Sequence, residues 1–123
     1  MRLSIIPNSP VPVYRQLYEE ILSQVISGEL KGGTALPPIR TVSKELGVSV
    51  ITVRSAWEAL ESDGIIFTKA GSGCFTASAD DEAIKKLRAK AVSEQIKALV
   101  ETARKLGFKD RELAELVTEE FNR

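Results

Sequence analysis

GVSVITVRSAW, residues 47–57, is the stretch whose reading decides the fold. Gly47 suits the left-handed position that follows a helix end, and Ser49 suits an N-cap whose side chain accepts from the backbone N–H of Ile51 or Thr52. A helix is therefore expected from Ser49 to about Ser62, with another before it over Pro38 to Leu46, proline being welcome in a first helical turn. Ser43, Gly47 and Val53 have helix-turn-helix spacing. The small side chain and the glycine let two helices cross closely, while Val48 and Val53 pin their angle. With Val53 at 0° and about 100° per residue, Trp57 and Leu60 fall within about 40° of it and Ala56 flanks them, so these residues form a core stripe. Val50 sits at the stripe's edge. Ile51 and Ser55 point away from it, with Thr52 and Arg54 on the shoulders.

Working outward, Pro10 and Pro12 bracket an extended lead into a helix from about Val13 to Ser27, with Tyr14, Leu17, Tyr18, Ile21 and Val25 at helical spacing. Gly28 ends that helix and Gly32-Gly33 opens a turn into a short extended piece, Thr34 to Leu36. After the GVSVITVRSAW helix, Asp63-Gly64 makes a turn. A β-rich run from Ile65 to Lys69, the loop AGSG and a second short strand, Cys74 to Thr76, then read as a hairpin. The order is that of a winged helix-turn-helix.

From Ala79 the chain changes character. Asp80, Asp81 and Glu82 suit a helix start, and Ile84, Leu87, Ala91, Ile96, Leu99, Ala103 and Leu106 keep roughly helical spacing until Gly107. Asp110 is the expected N-cap of a last helix carrying Leu113, Leu116, Val117 and Phe121. The expected architecture is mainly α with a small β-hairpin: a winged helix-turn-helix over 1–78 and a two-helix dimerisation tail over 79–123.

Bulk properties narrow the function. The 123 residues suit one domain, or one small domain with a helical appendage, and are too few for a DNA-binding unit plus a full-sized ligand-binding domain. No apolar run is long enough to span a membrane and the N-terminus does not read as a signal peptide, so a cytoplasmic location is expected. There is no histidine and a single cysteine, Cys74, which removes the commonest general base and zinc ligand. Cys74 reads as a small hydrophobe and the acids at 80–82 as a solvated helix start. No catalytic residue, metal site or cofactor is expected. Seventeen Lys and Arg balance seventeen Asp and Glu, so nucleic-acid binding must rest on where individual residues sit.

Several motifs in order carry a resemblance: Pro12, Tyr14 and Gln16, then GELKGGTALPPIR through Arg40, LGVS, TVRSAWEALESDG, and GSGCF in the wing. Residues 10–77 resemble the N-terminal domain of the GntR family of bacterial transcription regulators. Downstream, LGFKDRELAELVTEEF resembles the short C-terminal part of its YtrA subfamily. The resemblance implies a dimer built by the tail helices, no separate effector domain, and DNA contacts at Arg40 and Arg54 with Ser49 and Thr52 as hydroxyl donors. Two positions depart from the family's habit: Pro38 stands where serine is frequent, and Val50 where arginine is.

An outward isoleucine on a reading helix has a specific partner, the thymine C5-methyl, and Ser55 can meet base edges. Val50 is expected at the sugar-phosphate edge, and Lys69, Gly71 and Ser72 form a wing that approaches phosphate or a minor groove. Leu87, Ile96, Leu99, Leu106, Leu116 and Phe121 are the expected tail-core and dimer-interface residues. The expected protein is a homodimeric repressor on double-stranded DNA with an inverted-repeat operator, and any small-molecule effector is unspecified. The rival is a protein-interaction module on the same scaffold without DNA binding, for which the neutral charge and Val50 speak.

Overall fold

The structure, a computed structural model, describes residues 1–123. The elements in order are α1 (Val13–Ile26), α2 (Ile39–Leu46), α3 (Val50–Ser62), β1 (Ile66–Lys69), β2 (Gly73–Thr76), α4 (Glu82–Lys105) and α5 (Asp110–Phe121). They form two compact units, Met1–Arg88 and Ala89–Arg123.

The first unit is a winged helix-turn-helix. Leu17, Ile21 and Val25 of α1, Val42 of α2 and Val53, Ala56, Trp57 and Leu60 of α3 form one buried cluster, joined by Ile65, Ile66 and Ile84. The expected α3 stripe is the one observed. On α1, Gln24 is buried, whereas Tyr14 is exposed. Tyr18 lies partly buried beside the core and donates its hydroxyl proton to Asp63, the residue that ends α3. Burial, that hydrogen bond and the carboxylate's charge together push the phenol up to about 12.

Gln24 is buried because it has a backbone to satisfy. The first six residues run antiparallel along α1: Gln24 accepts from Arg2 N–H and donates to its carbonyl, Glu20 accepts from Ser4 N–H, and Gln16 accepts from Ile6 N–H and donates to its carbonyl. Two residues of extended chain and four of helix both advance about 6–7 Å, so side chains one helical turn apart meet every second residue of the strap. Leu3 and Ile5 lean on the core between these rungs.

In the wing, β1 and β2 pair antiparallel with Phe67 opposite Phe75 and Thr68 opposite Cys74. The stretch Thr34 to Leu36 adds a short third rung through a bridge between Ala35 and Phe75, with Leu36 N–H donating to the Cys74 carbonyl. Gly32 matters here for space: a Cβ on it would sit 2.7 Å from Ser78 Cα.

α4 carries two apolar sets rather than one stripe. Ile84 is fully buried and Leu87 partly buried against the core of the first unit, whereas Ala91 is exposed. After a five-residue step from Ala91 to Ile96, the second unit has its own set, Val92, Ile96, Leu99, Ala103 and Leu106, spaced four, three, four, three. Gly107, at φ 81°, ends the helix, and Phe108 N–H caps the Ala103 carbonyl. α5 has Lys109 at its N-cap instead of Asp110: the Lys109 N–H donates to the Glu112 carboxylate, and Asp110 is the first helical residue. No helix is long and apolar enough to cross a membrane.

Two measurements check this packing. Gly32→Ala is expected to lower the urea midpoint by the equivalent of about 1–3 kcal/mol with the m-value unchanged, since a backbone must move to admit the methyl group. Because the Tyr18 phenol titrates higher folded than unfolded, its contribution is complete below the unfolded pKa of about 10 and is lost as pH rises toward 12. Tyr18→Phe should therefore flatten the alkaline fall in melting temperature over that window.

Candidate nucleic-acid interface

The turn between α2 and α3 is locked by more than a glycine. Gly47 adopts φ 68°, ψ 34°, Val48 N–H donates to the Ser43 carbonyl, and the Ser43 hydroxyl donates back to the Val48 carbonyl. Ser43 is thus required for its hydroxyl as well as its size. Ser49 caps α3 by accepting from Thr52 N–H at 3.1 Å, and the two hydroxyl oxygens are 2.8 Å apart. One hydroxyl proton is spent between Ser49 and Thr52, which leaves one for an outside acceptor.

With the core side of α3 fixed, Ile51 stands 73% exposed, and Arg54 and Ser55 are also exposed. Thr52 and Val50 are half-buried at the two edges. Arg40, at the start of α2, and Arg54 make no ion pair within the chain; every ion pair present lies elsewhere. Lys44, in the last turn of α2, is likewise exposed and unpaired, a cation that the sequence reading passed over because it falls outside the family's motif. Three unpaired cations, Arg40, Lys44 and Arg54, thus stand on α2 and α3, which also carry Glu45, Glu58 and Glu61, so the surface depends on where each charge sits and not on a local excess.

The wing turn is built on glycines at φ 77° for Gly71 and φ 108° for Gly73. Ser72 N–H closes the turn onto the Lys69 carbonyl, so the Ser72 hydroxyl and Gly71 N–H are the donors left facing out. Lys69 stands 5.8 Å over the Phe75 ring, which in turn lies 5.9 Å from Phe67. Phe67 and Phe75 form a wing face whose stacking was not legible in either strand alone. Behind the wing turn, a cleft of about 390 Å³ lies between the start of α2, α3 and β2, lined by Arg40, Arg54, Trp57 and Ser72 among others.

In the second unit, Ala103 is the one buried apolar side chain. An apolar groove of about 550 Å³ runs between α4 and α5 along Ile96, Leu99, Val100, Phe108, Leu113 and Val117. Ile96, Leu99, Leu106, Leu116 and Phe121 are all exposed, whereas Leu87 packs on the first unit's core. No cluster of His, Cys, Asp or Glu could hold a metal ion.

Comparison with known proteins bears on both units. The model of the bacterial regulatory proteins of the gntR family matches residues 13–76. The chain is 38% identical over 77 residues to the probable rhizopine catabolism regulatory protein MocR of Rhizobium meliloti, covering 63% of this chain and only 16% of that protein. To the HTH-type transcriptional repressor YtrA of Bacillus subtilis it is 27% identical over 117 residues, covering 95% of this chain and 90% of YtrA. The DNA-binding domain of AraR, solved in complex with operator ORX1, superposes with a TM-score of 0.52 at 32% identity, over 61% of this chain and 93% of that one.

Removing the cap tests the local geometry. Ser49→Ala is expected to cost about 1 kcal/mol of stability, measured by denaturant unfolding, whereas Ile51→Ser on the open face should leave the midpoint within about 0.5 kcal/mol.

Proposed function

The chain belongs to the gntR family of bacterial regulatory proteins, YtrA-like in its proportions, and from that membership we propose that it is a sequence-specific DNA-binding transcription regulator. It acts as a repressor, occupying an inverted-repeat operator as a homodimer. The observation that carries this reading is the surface around α3: an isoleucine 73% exposed at the centre of the outward face, ringed by hydroxyls and by arginines without a carboxylate partner. In the major groove, Ile51 meets a thymine methyl and Ser55 a base edge, while Arg40, Arg54 and the free proton of the Ser49 and Thr52 pair hold phosphates. Val50 packs at the sugar edge. Lys69, Gly71 and Ser72 bring the wing to the flanking backbone.

The second unit supports the dimer. Two helices that bury one alanine between them lack the apolar burial that holds a helix pair together in water. Residues 92–106 repeat with the heptad spacing of a helix seam, so the second copy covers Ile96, Leu99, Leu106, Leu116 and Phe121. Paired reading units then contact half-sites about one helical turn, or a multiple, apart.

The neutral total charge favours a second reading, a protein-interaction module that has kept the scaffold. Selection of bound duplexes from a random pool separates the two: an enriched two-fold symmetric site is expected, and no enrichment would sink the DNA reading. Affinity for the selected site should fall with added salt at a log-log slope of roughly −4 or steeper. Uracil in place of the thymine facing Ile51 is expected to weaken wild-type binding and leave Ile51→Ser unaffected. Leu99→Asp should yield monomers in sedimentation equilibrium and bind a single half-site weakly.

A further inference from the structure

Trp57 is the chain's single tryptophan and is only 4% exposed, yet its indole N–H donates to nothing in the protein. No fully enclosed side-chain nitrogen or oxygen lacks a partner, so this N–H lies at an opening. Trp57 lines the cleft between the start of α2, α3 and β2. Arg40 and Arg54 line the same cleft, with Ser72 at the wing side and Pro38 and Val50 as apolar walls, and no carboxylate lines it. Every polar side chain there can donate, two of them carry fixed positive charge, and the walls are hydrocarbon. That combination suits a ligand which is an anion at one end and a weakly polar ring at the other.

We propose that this cleft is a socket for one deoxyribose phosphate of the DNA backbone, in which the Trp57 indole N–H donates to a phosphate oxygen between Arg40 and Arg54 and the sugar rests on Pro38 and Val50. The proposal rests on the DNA-binding reading above and adds to it a neutral donor from inside the core. It also gives Val50 a reason: a larger charged side chain at that edge would occupy the space the sugar takes. A buried indole cannot swing away, so the phosphate is held at a fixed depth, and the register of α3 in the groove is set by packing rather than by long flexible side chains.

The test uses the full chain, the duplex enriched by selection and an unrelated duplex of the same length. Trp57→Phe keeps an aromatic ring in the core and removes only the N–H. It should unfold in a single transition and bind both duplexes about tenfold more weakly than wild type, the loss expected for a hydrogen bond to a charged acceptor. Its salt slope should match wild type, because a neutral donor releases no counterion, whereas Arg54→Gln should lower the slope by about one. A single methylphosphonate at the seated linkage should weaken wild type more than it weakens Trp57→Phe, which keeps Arg40 and Arg54 on that phosphate but has lost the N–H. The wild-type emission supplies a readout independent of the variant's folding: it should change on saturation with either duplex.

Normal DNA binding with unchanged Trp57 emission overturns the socket and leaves the DNA reading standing. Equal affinities of wild type and a folded Trp57→Phe do the same. A protein that binds no duplex overturns both. A Trp57 response to free deoxyribose 5-phosphate with none to duplex overturns the assignment to the DNA backbone.

Discussion

Packing of α3 on α1 through Val53, Ala56, Trp57 and Leu60 against Leu17, Ile21 and Val25 fixes the rotation of α3 about its own axis. Side chains on a helix diverge by about 100° per residue, so once four are held inward the direction of every other one is decided. Ile51 and Ser55 face out for that reason. The Gly47 turn and the reciprocal hydrogen bonds between Ser43 and Val48 then set where α3 begins relative to α2. The wing inherits its place from the same cluster, because Ile65 and Ile66 are buried in it just before the chain turns back at Gly71.

On this frame the electrostatics are local. The protein carries no net charge, and a DNA-binding surface on such a chain has to be made by placement. Glutamates are present on the same helices, but the ion pairs that form sit on α1, α4, α5 and the N-terminal strap. Arg40, Lys44 and Arg54 are left without partners. The polar side chains of α1 meanwhile serve the fold: Gln16, Glu20 and Gln24 satisfy the backbone of the first six residues, an arrangement that keeps the strap in place without a sheet.

The second unit shows the opposite economy. Its apolar side chains are regularly spaced yet uncovered, and a helix pair of this size with one buried alanine has too little burial to be stable by itself. The proposed self-association would supply that burial, and the heptad spacing of Val92, Ile96, Leu99, Ala103 and Leu106 suits a helix seam.

Much of this was legible in the sequence, because the decisive signals were local. The α3 stripe, the Ser49 cap, the left-handed Gly47 and the hairpin around GSG each depend on residues within one or two turns of one another, and such patterns survive in a linear reading. Four things did not survive it. The burial of Gln24 depends on a backbone 22 residues away, the crowding at Gly32 on Ser78, and the wing's aromatic pair on the register of two strands. The two apolar sets of α4 looked like one because helical spacing alone does not say which partner each turn faces, and Ile84 belongs to the first core. The sequence by itself determined which elements form and which face of α3 is outward, since periodicity and capping are properties of neighbouring residues. Only the tertiary structure decided that Trp57 lines a cleft together with Arg40 and Arg54, because that cleft is enclosed by three segments which meet through packing and not through sequence.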